Sequence, residues 1–137
     1  MISKTENCKR KKLLIVDDSK DIREGLKRLI SEFDTIEIVG EARDGISALA
    51  MVEELKPDFV TLDIKMEGDS GIIALMEMKK RFPNMIVLML TNFPYEHFRR
   101  VCSNAGADYF FDKSLDFEEM VNIIKKLAED SQVSENV

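Results

Sequence analysis

The sequence has few cysteines and no long apolar run. Its 137 residues include two cysteines, Cys8 and Cys102, too few for a disulfide framework, which suggests a reducing compartment. Residues 1–12 are polar and basic and lack the apolar stretch of a secretory signal. The longest aliphatic run, residues 85–90, is far shorter than the roughly 20 residues that cross a bilayer. We therefore expect a cytoplasmic protein without membrane insertion.

An excess of positive charge is also missing. The 20 Lys and Arg residues face 26 Asp and Glu residues, a net charge of −6. That is the wrong sign for a domain that neutralises nucleic-acid phosphates, so we expect no direct nucleic-acid partner. The length suits one domain with one sizeable core, and neither an internal repeat nor a low-complexity linker divides it.

Five short apolar segments have the pattern of strands. Residues 13–16, 59–62 and 85–90 are continuous runs, as in parallel strands covered on both faces. Residues 36–39 alternate and residues 109–111 are brief, so both should lie at sheet edges.

Five segments with helical spacing alternate with these strands. The apolar positions are Ile22, Leu26, Leu29, Ile30 and Phe33; Ala48, Leu49, Val52 and Leu55; Leu75, Met78 and Phe82; Phe98, Val101, Cys102 and Ala105; and Phe117, Met120, Val121, Ile124, Leu127 and Ala128. The last helix opens with Asp116 and Glu119 in the spacing of a capping box. Short connections between alternating elements predict an α/β fold, a parallel sheet with helices on both faces.

Polar residues that carry chemistry cluster at one end of these strands. Asp17 and Asp18 end the first strand, Asp63 the third and Thr91 the fourth, and Lys113 follows the fifth. In an open parallel sheet, the carboxyl ends of the strands form the ligand-binding edge. Each residue alone is more simply a helix cap, a turn residue or a solvated side chain. Their joint placement predicts a shared crevice.

Three carboxylates in one crevice need a cation. Within about 4 Å they repel by several kcal/mol per pair at an effective dielectric of about 20. Carboxylate oxygens, with room for water and a phosphate oxygen, suit Mg²⁺ better than zinc. Lys113 adds a point charge aimed at a phosphoryl group. We therefore expect Mg²⁺ as the cofactor.

Several segments of the chain form a joint pattern: LIVDD (14–18), VGEA (39–42) with DG (44–45), DFVTLDIKM (58–66), MLT (89–91) and AGAD (105–108), which leads to Lys113. Together they resemble the receiver domain of two-component response regulators. The resemblance covers residues 11–128 and implies a flavodoxin-like (βα)5 doubly wound parallel sheet in strand order 2-1-3-4-5. On this basis we expect a polar N-terminal tail (1–11), a stand-alone receiver domain (12–130) and a frayed C-terminal tail (131–137).

The resemblance also implies the chemistry of the crevice. Asp63 would attack the phosphorus of a phosphohistidine on a histidine kinase or histidine phosphotransfer protein and become an aspartyl phosphate. Asp18 and Asp63 would ligate Mg²⁺ directly, Asp17 through water, and the backbone carbonyl of Lys65 would add an oxygen. Such a protein catalyses only its own phosphorylation and dephosphorylation and is otherwise no enzyme.

The same resemblance implies a switch. Thr91 would hydrogen-bond the new phosphoryl oxygen, Lys113 would pair with another, and Phe110 would be repositioned. The face made by the fourth helix, fifth strand and fifth helix would then change for an unknown downstream protein target. A phosphorylation-linked homodimer and a monomer are both admissible.

Three residues depart from the family pattern. Phe110 stands where Tyr is frequent, so a switch through a hydroxyl is not available, although burial of the ring is. Glu67 and Ser114 stand where Pro is common. Without proline, a cis Lys113–Ser114 peptide costs about 3 kcal/mol, so we expect it only if the crevice needs it.

Alternative functions stay open. The segment 39–42 resembles receivers fused to helix-turn-helix domains, so the chain could be the receiver fragment of a DNA-binding transcriptional regulator. A small Mg²⁺-dependent aspartyl phosphohydrolase is less favoured, because its nucleophile belongs to a D-x-D pattern after the first strand, where this chain has adjacent Asp17 and Asp18. A degenerate receiver that acts by binding alone is disfavoured because all five key residues are present.

Overall fold

The fold was analysed in a computed structural model that describes residues 10–66 and 69–135, without the side chains of Asp69 and residues 131–135. Strands and helices alternate along the chain. The elements are β1 (Lys11–Val16), α1 (Lys20–Ile30), β2 (Ile36–Ala42), α2 (Gly45–Leu55), β3 (Phe59–Leu62), α3 (Gly71–Arg81), β4 (Ile86–Thr91), α4 (Glu96–Asn104), β5 (Tyr109–Asp112) and α5 (Phe117–Glu135). A short antiparallel hairpin pairs Lys65–Met66 with Asp69–Ser70 between β3 and α3.

The five strands form one parallel sheet in the order β2-β1-β3-β4-β5. This confirms the predicted α/β flavodoxin-like fold and its strand order. The placement of β2 and β5 at the edges is confirmed as well. A register shift between Leu13 and Leu14 interrupts the pairing of β1 with β2.

Each face of the sheet carries its own apolar layer, because alternate residues of every strand point to opposite sides. Leu13 and Ile15 of β1 belong to the layer under α1 and α5, whereas Leu14 and Val16 belong to the layer under α2, α3 and α4. Both faces of the central strands are therefore buried, which explains their continuous apolar runs.

Methionine is distributed unequally between these two layers. Four buried methionines lie in the layer under α2, α3 and α4: Met66, Met78, Met85 and Met89. The layer under α1 and α5 has a single buried methionine, Met120, among the described residues, and otherwise consists mainly of branched and aromatic side chains. The first layer is therefore the softer of the two.

Polar caps begin three of the helices at the carboxyl edge of the sheet. The side chains of Ser19, Asp44 and Ser70 accept hydrogen bonds from the backbone N–H groups of Ile22, Ser47 and Ile72. These caps satisfy N–H groups that have no partner inside the helix. Asp17 and Asp18 therefore do not serve as the N-cap of α1.

The ends of the domain stay as predictions. Residues 1–9, with Cys8, lie outside the described residues, as do residues 67–68 and 136–137. The backbone of α5 extends to Glu135. No helix in the described part of the chain is both long and apolar enough to cross a membrane.

Candidate functional site

Three carboxylates meet at the carboxyl edge of the sheet. Val16 of β1 and Leu62 of β3 are partners in the parallel register, so Asp17 and Asp63, which follow them, come side by side. One oxygen each from Asp17, Asp18 and Asp63 lies within 4.8 Å of the others. Asp17 and Asp63 are buried. The crevice expected from the sequence is therefore formed.

Lys113 lies between two of these carboxylates. Its Nζ atom is 2.8 Å from Oδ2 of Asp17 and 3.1 Å from Oδ2 of Asp63. The backbone N–H of Lys113 donates to the carbonyl of Thr91, which fixes the end of β5 beside β4. The ammonium supplies one of the positive charges that the three carboxylates require. Lys113 and the three aspartates together keep a formal charge of −2.

The pKa of Asp63 is raised from its usual 3.8 to about 6. Burial is the main cause; the charges of Asp17 and Asp18 raise this pKa further, and Lys113 opposes them. Burial lowers the pKa of Lys113, but its contacts with Asp17 and Asp63 outweigh burial and the pKa is raised. At neutral pH the crevice thus holds an ionised Asp63 whose charge is poorly solvated.

Thr91 ends β4 and is fully buried. Its hydroxyl oxygen accepts a hydrogen bond of 2.9 Å from the backbone N–H of Phe93. The side chain is thus engaged with the loop that leads into α4. Thr91 lies at the predicted strand end, two residues before its hydrogen-bond donor.

Comparisons with known proteins agree with this geometry. Residues 13–125 match the model of the response regulator receiver domain family. The chain belongs to the response regulator receiver domain family of two-component signal transduction. The response regulator protein VraR of Staphylococcus aureus is 34% identical over 90% of this chain, and the chain spans about three fifths (59%) of VraR.

Solved structures are similar over nearly the whole receiver domain. One is a DNA-binding response regulator of the LuxR family from Staphylococcus aureus, 29% identical with a TM-score of 0.78, which covers 86% of this chain and 98% of that chain. Another is the CheX–CheY–BeF3–Mg²⁺ complex from Borrelia burgdorferi, 26% identical with a TM-score of 0.80, which covers 91% of this chain and 98% of that chain.

Lys65, two residues after Asp63, contacts two aromatic rings, one in the loop after β4 and one in α4. Its Nζ atom lies 4.5 Å from the ring centroid of Phe93 and 6.0 Å from that of Phe98. Such cation–π contacts at exposed sites contribute about 0.5–1 kcal/mol. The resemblance gave the backbone carbonyl of Lys65 a role in the metal site, and the sequence gave no sign of this stacking.

Phe110 also has a partner that the sequence did not reveal. The guanidinium carbon of Arg99, on α4, lies 4.6 Å from the ring centroid of Phe110. The half-buried ring packs against the apolar layer under α2, α3 and α4. The ring on β5 is therefore bound to α4 by a contact that needs no hydroxyl.

Gly71 is a site residue that the sequence analysis missed. A Cβ atom at this position would lie 1.7 Å from the carbonyl oxygen of Asp63, far inside contact distance. The backbone N–H of Gly71 donates to the carbonyl of Ile64 at 2.6 Å. The first residue of α3 thus packs against the backbone of Asp63, and the available signal was a glycine directly after a serine cap.

The Lys113–Ser114 peptide was expected to be cis only if the crevice needs that form. Among the described residues no peptide bond is cis, so the Lys113–Ser114 peptide is trans and Lys113 reaches both carboxylates without it. Glu67, the second position where proline is common, lies outside the described residues.

Proposed function

We propose that this receiver domain accepts a phosphoryl group on Asp63 from a phosphohistidine of a histidine kinase or histidine phosphotransfer protein, with Mg²⁺ as cofactor. The observation that carries the proposal is the buried group of Asp17, Asp18 and Asp63 with Lys113 inserted between two of its members. A receiver that only bound partners would have no use for so many poorly solvated charges.

The donor set fits Mg²⁺. The three carboxylates offer hard oxygen ligands, and their excess negative charge remains after the charge of Lys113 is counted. Asp18 and Asp63 would hold the ion directly, Asp17 through water, and the carbonyl of Lys65 would complete the protein ligands. The Borrelia burgdorferi CheX–CheY complex, which carries Mg²⁺ by its description, supports this choice. When bound, Mg²⁺ supplies positive charge to phosphoryl oxygens.

In the transfer, a carboxylate oxygen of Asp63 forms a bond to phosphorus while the phosphorus–nitrogen bond of the donor breaks. The electron pair of that bond returns to the imidazole nitrogen. Asp63 acts as nucleophile in its ionised form, which dominates above about pH 6. Lys113 already lies 3.1 Å from Asp63 and needs little movement to pair with a phosphoryl oxygen.

The signal would then pass through Thr91 and Phe110. A hydrogen bond from the Thr91 hydroxyl to a phosphoryl oxygen draws this residue toward Asp63 and changes the loop that it now holds through Phe93. Movement of the Phe110 ring would break its stacking on Arg99 and alter the α4–β5–α5 face. That face would contact a downstream protein, or a second copy in a phosphorylation-linked homodimer.

Intact-mass measurement after incubation with acetyl phosphate, with and without Mg²⁺, tests the proposal. We expect a labile gain of one phosphoryl group that requires Mg²⁺ and is absent in Asp63→Asn. No gain under any condition would overturn the proposal in favour of binding alone. Steady phosphate release from unrelated phosphoesters would instead support a phosphohydrolase.

A second candidate is that this sequence is the receiver part of a longer DNA-binding transcriptional regulator. Two findings favour it: the chain spans 59% of VraR, and a similar structure is that of a DNA-binding response regulator. Phosphorylation of Asp63 would then control a module outside this sequence. A reading frame that continues past Val137 into a helix-turn-helix pattern would support this candidate, and a stop codon there would remove it.

A further inference from the structure

Arg23 connects the acidic crevice to β2, an outer strand of the sheet. Its Nη1 atom donates a hydrogen bond of 2.6 Å to the backbone carbonyl of Asp17, and its Nε donates one of 3.1 Å to Oε1 of Glu41. The side chain is 12% exposed, although it lies in the first turns of α1. The hydrogen bond to the buried Asp17 is therefore made in a poorly hydrated space, where charge-assisted hydrogen bonds are strong, whereas Glu41 is 33% exposed.

Glu41 fixes the orientation of this guanidinium. It lies on β2 opposite Ile15 of β1, two residues before Asp17. Its second oxygen accepts from Nζ of Lys27 at 2.9 Å. This hydrogen bond is the main reason that the pKa of Glu41 is lowered, so the carboxylate stays charged. Arg23 and Lys27 use different oxygens of Glu41, so the contact of Arg23 with Oε1 is separate from that of Lys27, and the planar guanidinium donates through Nη1 to the carbonyl of Asp17.

The contact matters because of the peptide that it holds. The carbonyl of Asp17 belongs to the peptide plane that joins Asp17 to Asp18. The orientation of this plane determines the directions in which the side chains of Asp17 and Asp18 leave the backbone. The N–H of Asp17 donates to the carbonyl of Ala42, and its Oδ1 accepts from the N–H of Ser19. Arg23 adds the bond to the carbonyl, against the mutual repulsion of the carboxylates.

We propose that Arg23 is a positioning residue of the metal site, which holds the Asp17–Asp18 peptide so that both carboxylates converge on Mg²⁺. The inference rests on the proposed function, because it concerns the affinity of the site for that ion. It attributes this positioning to the hydrogen bond with the Asp17 carbonyl, and not to the charge of Arg23 or to the packing of α1 on the sheet.

The sign of the effect separates these explanations. A cation beside an acidic pocket weakens Mg²⁺ binding by repulsion, so loss of a purely electrostatic Arg23 would tighten binding. Loss of a positioning residue weakens binding, typically about 10-fold or more for groups that orient metal ligands. Lys27 is the matched control, since it is also a cation paired with Glu41, and its other ion pair is with Glu24.

The experiment is a Mg²⁺ titration of the full chain followed by amide chemical shifts, for the native protein, Arg23→Met and Lys27→Met. We expect the Kd of Arg23→Met to rise about 10-fold, and that of Lys27→Met to stay unchanged or fall. In the metal-free proteins, the ¹⁵N shift of Asp18, which reports a hydrogen bond to the preceding carbonyl, should move in Arg23→Met only.

Two results would overturn the inference: binding by Arg23→Met as tight as or tighter than native, or equal weakening in both variants. If Arg23→Met does not fold, Arg23→Lys takes its place. This variant keeps the charge but not the fork, so weaker binding is expected and native affinity overturns the inference. Failure of the native protein to bind Mg²⁺ would overturn the proposed function instead, and the Asp18 shift would still report the contact of Arg23.

Discussion

The carboxyl ends and the amino ends of the strands form two opposite edges of the sheet. Both edges carry ion pairs between basic and acidic side chains, but these pairs differ in their exposure to water. At the carboxyl edge, the side chains of Lys113, Asp17 and Asp63 form ion pairs while only 3–6% exposed. At the amino edge, the pair of Arg81 with Glu53 is about half exposed. An open recess of about 490 Å³ lies beside Arg81 at that edge.

The difference separates function from stability. Exposed ion pairs contribute little, because water and salt screen them. Buried charges have lost their hydration, so each depends on its partners and the loss of one partner is costly. The carboxyl edge is therefore the place where single substitutions have large effects of either sign.

The largest effect is expected for Gly71→Ala at the carboxyl edge. The new Cβ would collide with the Asp63 carbonyl, so α3 must shift away from the crevice. We expect a loss of at least about 3 kcal/mol in the free energy of unfolding, as for other severe steric strain in cores. Gly25→Ala in α1 is the control, since its Cβ would meet Phe117 at an ordinary 3.7 Å. Equal urea midpoints for the two variants would contradict the packing argument.

Next is Lys113→Met, which leaves Asp17 and Asp63 without their shared ammonium. In EDTA at pH 8 we expect about 3 kcal/mol less stability in urea unfolding, the usual consequence of a broken buried pair. The loss should be smaller at pH 5, where Asp63 binds a proton, and Mg²⁺ should restore more stability than in the native protein. The control Arg81→Met should leave the midpoint nearly unchanged, and a comparable loss there would remove the contrast between the edges.

Asp63→Asn should act in the opposite direction. Because folding raises the pKa of Asp63 from 3.8 to about 6, the folded state holds the proton more tightly, and stability falls as the pH rises between these values. Without Mg²⁺, the variant should match the native protein near pH 4 and exceed it by about 2–3 kcal/mol above pH 7. Urea unfolding at several pH values in EDTA measures this, and a difference independent of pH would refute it.

The smallest effect is expected at Thr61, in the middle of the central strand β3. Its buried hydroxyl has no hydrogen-bond partner among the described residues, and it lies between Ile15 and Leu88 in the sheet. Thr61→Val should stabilise the protein by about 1 kcal/mol, since it removes an unsatisfied polar group. Thr91→Val is the matched control and should destabilise, because that hydroxyl accepts from Phe93. The opposite order of thermal midpoints would be evidence against this account.

The sequence predicted the strands better than the boundaries of the helices. Burial on both faces gives β3 a continuous apolar run, so Phe59–Leu62 was located without error. Helix α3 begins at Gly71, four residues before Leu75, the first apolar position used for its prediction. The hairpin before α3 was not predicted, because two-residue strands have no periodicity.

The candidate site was predicted as a set of residues and not as a set of contacts. Strand ends brought Asp17, Asp63 and Thr91 to one edge, as parallel topology requires. The insertion of Lys113 between two carboxylates and the stacking of Arg99 on Phe110 depend on side chains that meet only after folding. The spacing of residues along the chain therefore could not predict these contacts.

The unequal distribution of methionine makes the two faces separately observable. Methyl groups of Met66 and Met89 lie in the layer against which Phe110 packs, whereas Met120 lies on the far side of the sheet. In a protein labelled with ¹³C at the methionine methyls, phosphorylation should shift the first two resonances more than that of Met120, which lies on α5 across the sheet. The chain thus carries its own reporters of switching, one set for each face of the sheet.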